Sequence, residues 1–254
     1  MNTISRTAAA SVVGARHLRG ARNGQDAAAV WMDAAARRGA AVVCDGCSSG
    51  GSSEVGARLG AQLALAAIAE ALRAGEDVAA LWDGVRARVA ATLDALVGAM
   101  PAPREDAVRE HLLFTIVAAA WSDRRVAVWA LGDGGYALGD RVTVLGPFPD
   151  NQPPYLGYDL LGMAQPAPPH LAVADAACGG VIVATDGAAE LGLAELAHDR
   201  FFANPDALRR HLALRARSGE RIDWGARRVE RLPAALQDDG AVAQLRWPVV
   251  EAAS

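Results

Sequence analysis

Cysteine is scarce in this sequence. Its three cysteines, Cys44, Cys47 and Cys178, are too few in 254 residues for a disulfide framework. The stretch CDGC (44–47) matches the C-x-x-C pattern, but no second cysteine pair or histidine pair at zinc-ligand spacing accompanies it, and no helix start follows the first cysteine. We therefore interpret the cysteines as small buried apolar residues rather than as a zinc or redox centre.

The sequence also lacks a long apolar run and a basic segment. Residues 1–20 contain no continuous hydrophobic region of signal-peptide length, and no uncharged stretch reaches membrane-spanning length. Basic and acidic side chains are interleaved and the formal net charge is −4, so nothing favours binding to nucleic acid. We expect a monomeric cytoplasmic protein that contacts neither membrane nor nucleic acid.

No low-complexity linker or shift in composition divides the chain, so we expect one domain over residues 1–254. Apolar spacing and turn residues predict the order of the elements. They are strands at 27–32 and 39–46, an antiparallel helix pair at 54–75 and 77–100, a β-meander between 111 and 145, a Pro-rich loop at 146–170, a strand before residue 186, a helix at 205–219 and a last strand from residue 240.

Acidic residues stand beside glycine at the ends of these strands, namely Asp45, Asp133, Asp186, Asp238 and Asp239. A single Asp-Gly at a strand end is most often only a turn. Four such places, with Asp26 in NGQDA ahead of them, favour carboxylates that converge on hard cations such as Mg²⁺ or Mn²⁺. Two such ions roughly 3.5–4 Å apart can share a bridging hydroxide and position it for in-line attack on phosphorus.

Six stretches follow one another along the chain in a characteristic order: ARHLRGARNGQDA, VVCDGCSSGGSSEVGARLGA, FTIVAAA, VWALGDGGYALGD, VIVATDGAAEL and DDGAVAQL. As a set, spanning residues 14 to about 247, they resemble the metal-dependent protein phosphatase family (PPM, protein phosphatase type 2C), and most closely its compact bacterial branch. The resemblance implies an α+β fold. In that fold, two antiparallel sheets form an αββα sandwich flanked by helices on both faces, with metal ions in a cleft at one edge.

The resemblance also implies the metal ligands. Asp45 would bridge two Mn²⁺ or Mg²⁺ ions, and the Gly46 carbonyl would bind the second. Asp186 and Asp238 would bind the first ion, with Asp239 as the alternative to Asp238 if the register shifts by one residue. The small residues after Asp45 would leave room for hydrated ions and for the approach of the Gly46 backbone.

Further roles follow from the same resemblance. Asp133 would help Asp186 to hold a third, looser ion, although a hairpin turn is a competing interpretation of GDGG. Asp26 would bond to metal-bound water. Gln25 occupies a position where some relatives have Glu, so water would mainly hold the second ion. Cys47 stands where animal relatives carry a His proposed as general acid.

The proton for the leaving group would then come from metal-bound water or from His17, although a lone His is more often structural. The family's phosphate-binding Arg precedes the N-x-D motif by a few residues, and both Arg19 and Arg22 qualify because the local spacing is irregular; we prefer Arg22. A guanidinium fork would bind a phosphoryl group through two hydrogen bonds. Thr115 alone remains of a Gly-Thr-Thr motif, and we interpret it as a packing residue.

These observations predict a phosphoserine and phosphothreonine protein phosphatase that reverses a partner Ser/Thr kinase. The alternative is a weakly active or inactive relative that binds a phosphoprotein or a regulator, which the changes at Gln25 and Cys47 motivate. A haloacid-dehalogenase-like phosphatase with Asp45 as nucleophile would need a second Asp two residues later, where Cys47 stands instead. Tyr155 and Tyr158 either shape a flap over the substrate or pack within the Pro-rich loop.

Overall fold

The computed structural model describes residues 5–204 and 206–249. In this part of the chain, ten strands form two five-stranded antiparallel sheets and two more form a separate hairpin. The strands are β1 (Arg6–Val12), β2 (Asp26–Asp33), β3 (Arg38–Gly46), β4 (Phe114–Trp121), β5 (Arg125–Leu131), β6 (Gly134–Leu138), β7 (Arg141–Leu145), β8 (His170–Asp175), β9 (Gly180–Ala184), β10 (Gly219–Asp223), β11 (Arg228–Leu232) and β12 (Gly240–Arg246). The order is β1-β12-β9-β6-β7 in the first sheet and β2-β3-β4-β5-β8 in the second.

Helices cover the outer faces of both sheets. They are α1 (Ala15–Gly20), α2 (Glu54–Arg73), α3 (Trp82–Ala99), α4 (Arg104–His111), α5 (Gly157–Leu160), α6 (Asp186–Ala189), α7 (Leu193–Leu196), α8 (Arg200–Ala203) and α9 (Ala207–Arg215). Side chains of α2 to α5 pack on the second sheet, and those of α6 to α9 pack on the first. The predicted αββα sandwich is confirmed.

A third apolar layer lies between the two sheets. Alternate residues of the central strands point inward, such as Val43 and Val117 from the second sheet and Val183 and Ala243 from the first. The rings of Trp121 and Trp247 stack across this layer with centroids 4.6 Å apart. The inward-facing side chains fix the two sheets against each other, so the strand ends that carry the acids meet at one edge.

Helix α2 is the longest helix of the described residues and carries few charges. By length and composition alone it could cross a membrane, but 56% of its most apolar window is buried inside the protein. Ala57, Ala61, Ala64 and Ile68 lie at helical spacing on its buried face, which packs on β3. The helix is therefore part of the hydrophobic core between the second sheet and the helices that cover it.

The prediction of a single β-meander between residues 111 and 145 is wrong. β4 and β5 pair in the second sheet, whereas β6 and β7 pair in the first. Between them, Gly132 and Gly134 adopt φ of +108° and +126°, and a Cβ on Gly134 would lie 2.6 Å from the Ala184 carbonyl oxygen. The chain crosses here from one sheet to the other. Asp133 therefore lies on a crossover segment and not in a hairpin turn.

Candidate active site

Three neighbouring strands of the second sheet place polar side chains in one row. Asp45 near the end of β3 lies directly opposite Asp26 on β2 and Thr115 on β4. The two carboxyl groups therefore come from directly opposed positions, and Asp26 is only 4% exposed. Burial, followed by repulsion from Asp26 and Asp186, holds the pKa of Asp45 well above its usual range. A cation bound beside this pair would oppose that effect by stabilising the charged carboxylates.

The first sheet contributes two more acids from adjacent strands. Asp186 opens α6 directly after β9, and Asp238 lies two residues before β12, which pairs with β9. The backbone is tight at this point, since a Cβ on Gly187 would lie 2.2 Å from the Asp239 carbonyl oxygen. Only glycine fits there, which explains the Asp-Gly pair. Both carboxylates are solvent-accessible and face the acids of the second sheet across the cleft.

Asp133 completes the group from the crossover segment. Burial, with repulsion from Asp186 as the next cause, raises the pKa of Asp133 to about 6. Thr115 lines the cleft opposite Asp45, which corrects its interpretation as a packing residue. The cleft between these groups has a volume of about 100 Å³. It is lined by His17, Gln25, Asp45, Gly46, Cys47, Ser48, Thr115, Asp133, Asn151, Pro153, Tyr155, Asp186, Asp238 and Asp239.

Asp239 differs from its neighbour Asp238 in its surroundings. One of its oxygens accepts the backbone N–H of Gly14 at 2.7 Å, and the other accepts the backbone N–H of Gln25 at 2.6 Å and bonds to His17 Nδ1 at 2.7 Å. The residue is 3% exposed. Asp239 thus joins the segment before β12 to both ends of the loop between β1 and β2.

Asp238 is more exposed than Asp239 and makes fewer hydrogen bonds. Its side chain is 49% exposed and lies 3.9 Å from Arg16 Nη1, and one oxygen accepts the backbone N–H of Asp239. Ligand atoms of His17, Asp238 and Asp239 all lie within 4.8 Å of one another, a spacing that could hold a metal ion. Because three donors already occupy the oxygens of Asp239, we regard Asp238 as the better candidate ligand.

The residues before β2 lie at the rim of the cleft. Gln25 is buried, and its side-chain amide donates to Ser53 Oγ at 2.6 Å, which keeps it away from the acids. Arg22 is exposed and donates to the Ser48 carbonyl at 3.3 Å, beside the loop that follows Asp45. Arg19 is also exposed, and no polar contact of it is found within residues 5–204 and 206–249. Arg22 therefore lies next to Ser48, which lines the cleft, but does not line the cleft itself.

Part of the Pro-rich loop forms one wall of the cleft. Tyr155 lines it together with Cys47, and burial raises the pKa of Tyr155 above its ordinary value. Tyr158 packs edge-on against Tyr155 at a centroid distance of 5.5 Å. The loop is tied to the body by the bidentate ion pair between Asp159 and Arg86 on α3. Of the two tyrosines, Tyr155 faces the site and Tyr158 supports it.

Thr185 is a site residue that the sequence reasoning missed. Its hydroxyl donates to Asp26 at 2.6 Å and accepts the backbone N–H of Ala241 at 2.9 Å, so it links the two sheets below the acids. Ser11 on β1 adds a hydrogen bond to the Asp26 carbonyl at 2.9 Å. The only local signal for Thr185 is its place directly before Asp186. Its partners are distant in sequence and become evident only in the fold.

The chemistry of the donors fits hard divalent cations. The candidate ligands at Asp45, Asp133, Asp186 and Asp238 all offer oxygen, the donor that Mg²⁺ and Mn²⁺ prefer. The chain contains no lysine, and among the described residues Arg16 is the one arginine that forms an ion pair with any of these four acids. The negative charge of the cleft is therefore largely uncompensated by the protein itself.

Comparisons with known proteins agree with this geometry. The family model described as "Protein phosphatase 2C" matches residues 13–236. A search of curated proteins found no match. Because the family model matches most of the chain, the protein belongs to the protein phosphatase 2C family. Its class is therefore that of the metal-dependent serine/threonine protein phosphatases.

Solved bacterial proteins share the fold at low sequence identity. The catalytic domain of the serine/threonine phosphatase PstP, in complex with two manganese ions, is 20% identical with a TM-score of 0.59, over 96% of this chain and 98% of that chain. PppA of Pseudomonas aeruginosa, described as a key regulatory component of T6SS, is 16% identical with a TM-score of 0.60, over 96% and 98%. Stp1 of Staphylococcus aureus is 14% identical with a TM-score of 0.57, over 99% and 97%.

Proposed function

We propose that this cleft hydrolyses phosphoserine and phosphothreonine in a protein substrate, with two Mn²⁺ or Mg²⁺ ions and a third, looser one, and that the enzyme reverses a Ser/Thr kinase. The observation that carries the proposal is the convergence of Asp45, Asp133, Asp186 and Asp238 from both sheets on one small, uncompensated cleft. The two manganese ions in the PstP catalytic domain support it by analogy.

Four acids and one backbone carbonyl are proposed to hold the ions. Asp45 and the Gly46 carbonyl would reach two of them, Asp186 and Asp238 would complete the first, and Asp133 would help hold the third. When bound, such ions supply Lewis acidity and lower the pKa of water so that it can attack phosphorus. Asp26 would bond to metal-bound water, and the hydroxyl of Thr185 fixes its carboxyl group.

The size of the cleft supports a protein substrate. Its volume of about 100 Å³ is well below the roughly 300–1,000 Å³ of pockets that enclose small ligands. Ions, water and a phosphoryl group would fill it, so the remainder of the substrate must lie on the surrounding surface. An extended protein segment that carries a phosphorylated side chain meets this condition.

His17 is proposed to donate the proton to the leaving oxygen. It lines the cleft and is 8% exposed, and its Nδ1 bonds to Asp239. That bond fixes the orientation of the ring, so Nε2 is the atom left to exchange a proton. With Cys47 in place of the histidine of animal relatives, His17 is the only histidine that lines the described cleft.

The proposed function predicts metal-dependent hydrolysis of both p-nitrophenyl phosphate and a phosphothreonine peptide. Turnover should require Mn²⁺ or Mg²⁺, disappear in EDTA and return when the metal is restored, because no lysine can replace the cations. Release of nitrophenol and of inorganic phosphate measures it. If calorimetry showed metal binding and none of these conditions gave turnover, the result would instead favour the binding-module alternative. The structural reason for that alternative is that the side chain of Gln25 is held by its hydrogen bond to Ser53.

Arg22→Ala is expected to raise KM for p-nitrophenyl phosphate by about tenfold with a smaller change in kcat, because it removes a guanidinium fork at the rim that would bind the phosphoryl group. Arg19→Ala is the matched control, since it removes the same charge from an exposed position three residues away. Initial-rate kinetics at fixed Mn²⁺ measure both. An unchanged KM in Arg22→Ala together with a raised KM in Arg19→Ala would reverse the assignment.

A further inference from the structure

The β10–β11 hairpin stands apart from both sheets. Its two strands pair with each other over their whole length, and almost every residue in them is exposed. Across the described ranges, no other helix or strand packs closely on either of its faces. A two-stranded hairpin is marginally stable at best in water. An uncovered hairpin of this kind therefore offers a surface on which a partner could complete the packing.

One face of the hairpin carries exposed apolar side chains. The register places Ile222 directly opposite Val229, and Trp224 follows in the connecting turn. These side chains are 49%, 59% and 81% exposed, respectively. The other face carries a cross-strand hydrogen bond from Arg221 Nε to Glu230 at 3.0 Å. The register also places Glu220 opposite Arg231 on the same face as Ile222 and Val229, so this face combines exposed apolar side chains with one acidic and one basic side chain.

The hairpin is locally basic on an acidic protein. Residues 217–231 contain five arginines and three acidic residues, whereas the whole chain has a net charge of −4. The side chain of Arg231, beside the apolar side chains of the hairpin, is 88% exposed. Its nearest acid, Glu220, lies as far as 4.0 Å away, so most of the Arg231 charge faces solvent. An acidic partner would complement this basic surface. The net negative charge of the whole protein would repel the same partner elsewhere.

The base of the hairpin is joined to the rim of the cleft. Leu236 donates its backbone N–H to the Arg215 carbonyl, and Leu236 and Gln237 accept the backbone N–H groups of Ala15 and Arg16. The candidate ligand Asp238 follows directly. Of the apolar residues named on the hairpin, Val229 is the nearest to Asp238 in sequence, nine residues before it, a span of at most ~30 Å. A substrate segment near the phosphorylated residue can therefore reach both surfaces.

We propose that this hairpin docks an extended acidic segment of the phosphoprotein substrate, outside the phosphorylated residue itself. An apolar side chain of that segment would pack on Trp224, Ile222 and Val229, and its carboxylates would face Arg231. Both outer edges of a two-stranded sheet have unpaired backbone groups, so the segment can add as a third strand. This inference rests on the proposed phosphatase function and names the class of substrate that the cleft would receive.

The test compares two phosphothreonine peptides that differ only in a short extension, Glu-rich with one Leu in the first and Gln-rich with the same Leu in the second. Wild-type protein is expected to show a KM about fivefold lower for the Glu-rich peptide. The single variant Arg231→Glu should lose this difference, and the double variant Trp224→Ala/Ile222→Ser should raise the KM of both peptides, while each variant keeps the rate on p-nitrophenyl phosphate. Val144→Ser is the matched control, because Val144 is 66% exposed on β7.

Binding of the fluorescently labelled peptides, measured by anisotropy, separates docking from catalysis. Preferential binding of the Glu-rich peptide without any turnover would refute the phosphatase proposal and leave the docking surface in place. Equal KM and equal binding for both peptides in the wild type would overturn the docking inference. Binding of the protein to phosphatidylserine vesicles through Trp224, with no discrimination between the peptides, would also overturn it and assign the hairpin to a lipid surface.

Discussion

Asp186→Ala is expected to lower kcat on p-nitrophenyl phosphate with Mn²⁺ by at least about 1,000-fold, which corresponds to ~4 kcal/mol of transition-state stabilisation. The carboxylate opens α6 at the cleft and has no basic partner among the described residues, so it is available to a cation. Its loss should weaken Mn²⁺ binding, measured by calorimetry, in parallel with the loss of rate.

The same variant should not destabilise the metal-free protein. Repulsion from Asp186 contributes to the raised pKa of both Asp45 and Asp133, so its removal relieves an unfavourable interaction. In EDTA we expect a Tm equal to or above that of the wild type, and a smaller increase on addition of Mn²⁺. Thermal unfolding with and without metal measures both effects.

Asp140→Ala is the matched control for this experiment. Asp140 also adjoins a glycine at a strand end, but it lies in the exposed turn between β6 and β7 and does not line the cleft. The Asp140→Ala variant should keep the wild-type rate and the wild-type affinity for Mn²⁺. Full turnover and unchanged Mn²⁺ affinity in Asp186→Ala would contradict the proposed metal assignment.

The sequence allows the acids to be predicted because their signal is local. Asp45 and Asp186 each end an apolar run and precede a glycine, and the reason for that glycine is a backbone approach that any Cβ would block, as at Gly187. The sandwich itself followed from the resemblance, and the family model and the sheets confirm it. Local patterns thus predicted which acids the fold brings together at one cleft.

What local patterns could not supply is the partner of each group. Thr185 reaches Asp26 across 159 residues of sequence, and Asp239 reaches Gly14 across 225. The wrong prediction of a single β-meander has the same cause, because local patterns do not show which strands pair. Apolar spacing indicates that β5 and β6 are strands, but not that they belong to different sheets. The mostly charged β10–β11 hairpin has no clear apolar alternation and was not predicted.

Asp238 and Asp239 are expected to respond to substitution in opposite ways, although they are neighbours. Asp239→Ala would leave the buried N–H groups of Gly14 and Gln25 without an acceptor and remove the partner of His17. At about 1–3 kcal/mol for each unsatisfied buried group, the free energy of unfolding in EDTA should fall by roughly 3–5 kcal/mol. Urea unfolding measures this loss.

Asp238→Ala should change the free energy of unfolding in EDTA by less than about 1 kcal/mol, because its side chain is half exposed and makes one local hydrogen bond. It should nevertheless reduce Mn²⁺ affinity and kcat by about 100-fold or more, if Asp238 is a ligand. Asp239→Asn is the second variant that keeps the comparison informative should Asp239→Ala fail to fold. One of its two polar atoms can still accept a backbone N–H, so an intermediate loss of stability is expected.

The two substitutions together decide which acid binds the metal. If Asp239→Asn retained its stability and lost Mn²⁺ affinity while Asp238→Ala kept both, the ligand would be Asp239 and the three donors around it would have to rearrange when the ion binds. If the assignment to Asp238 is correct, Asp239 acts one step away from the metal. It holds Gln25, Gly14 and His17 in place, and the geometry of the cleft depends on this one buried carboxylate even though it binds no ion itself.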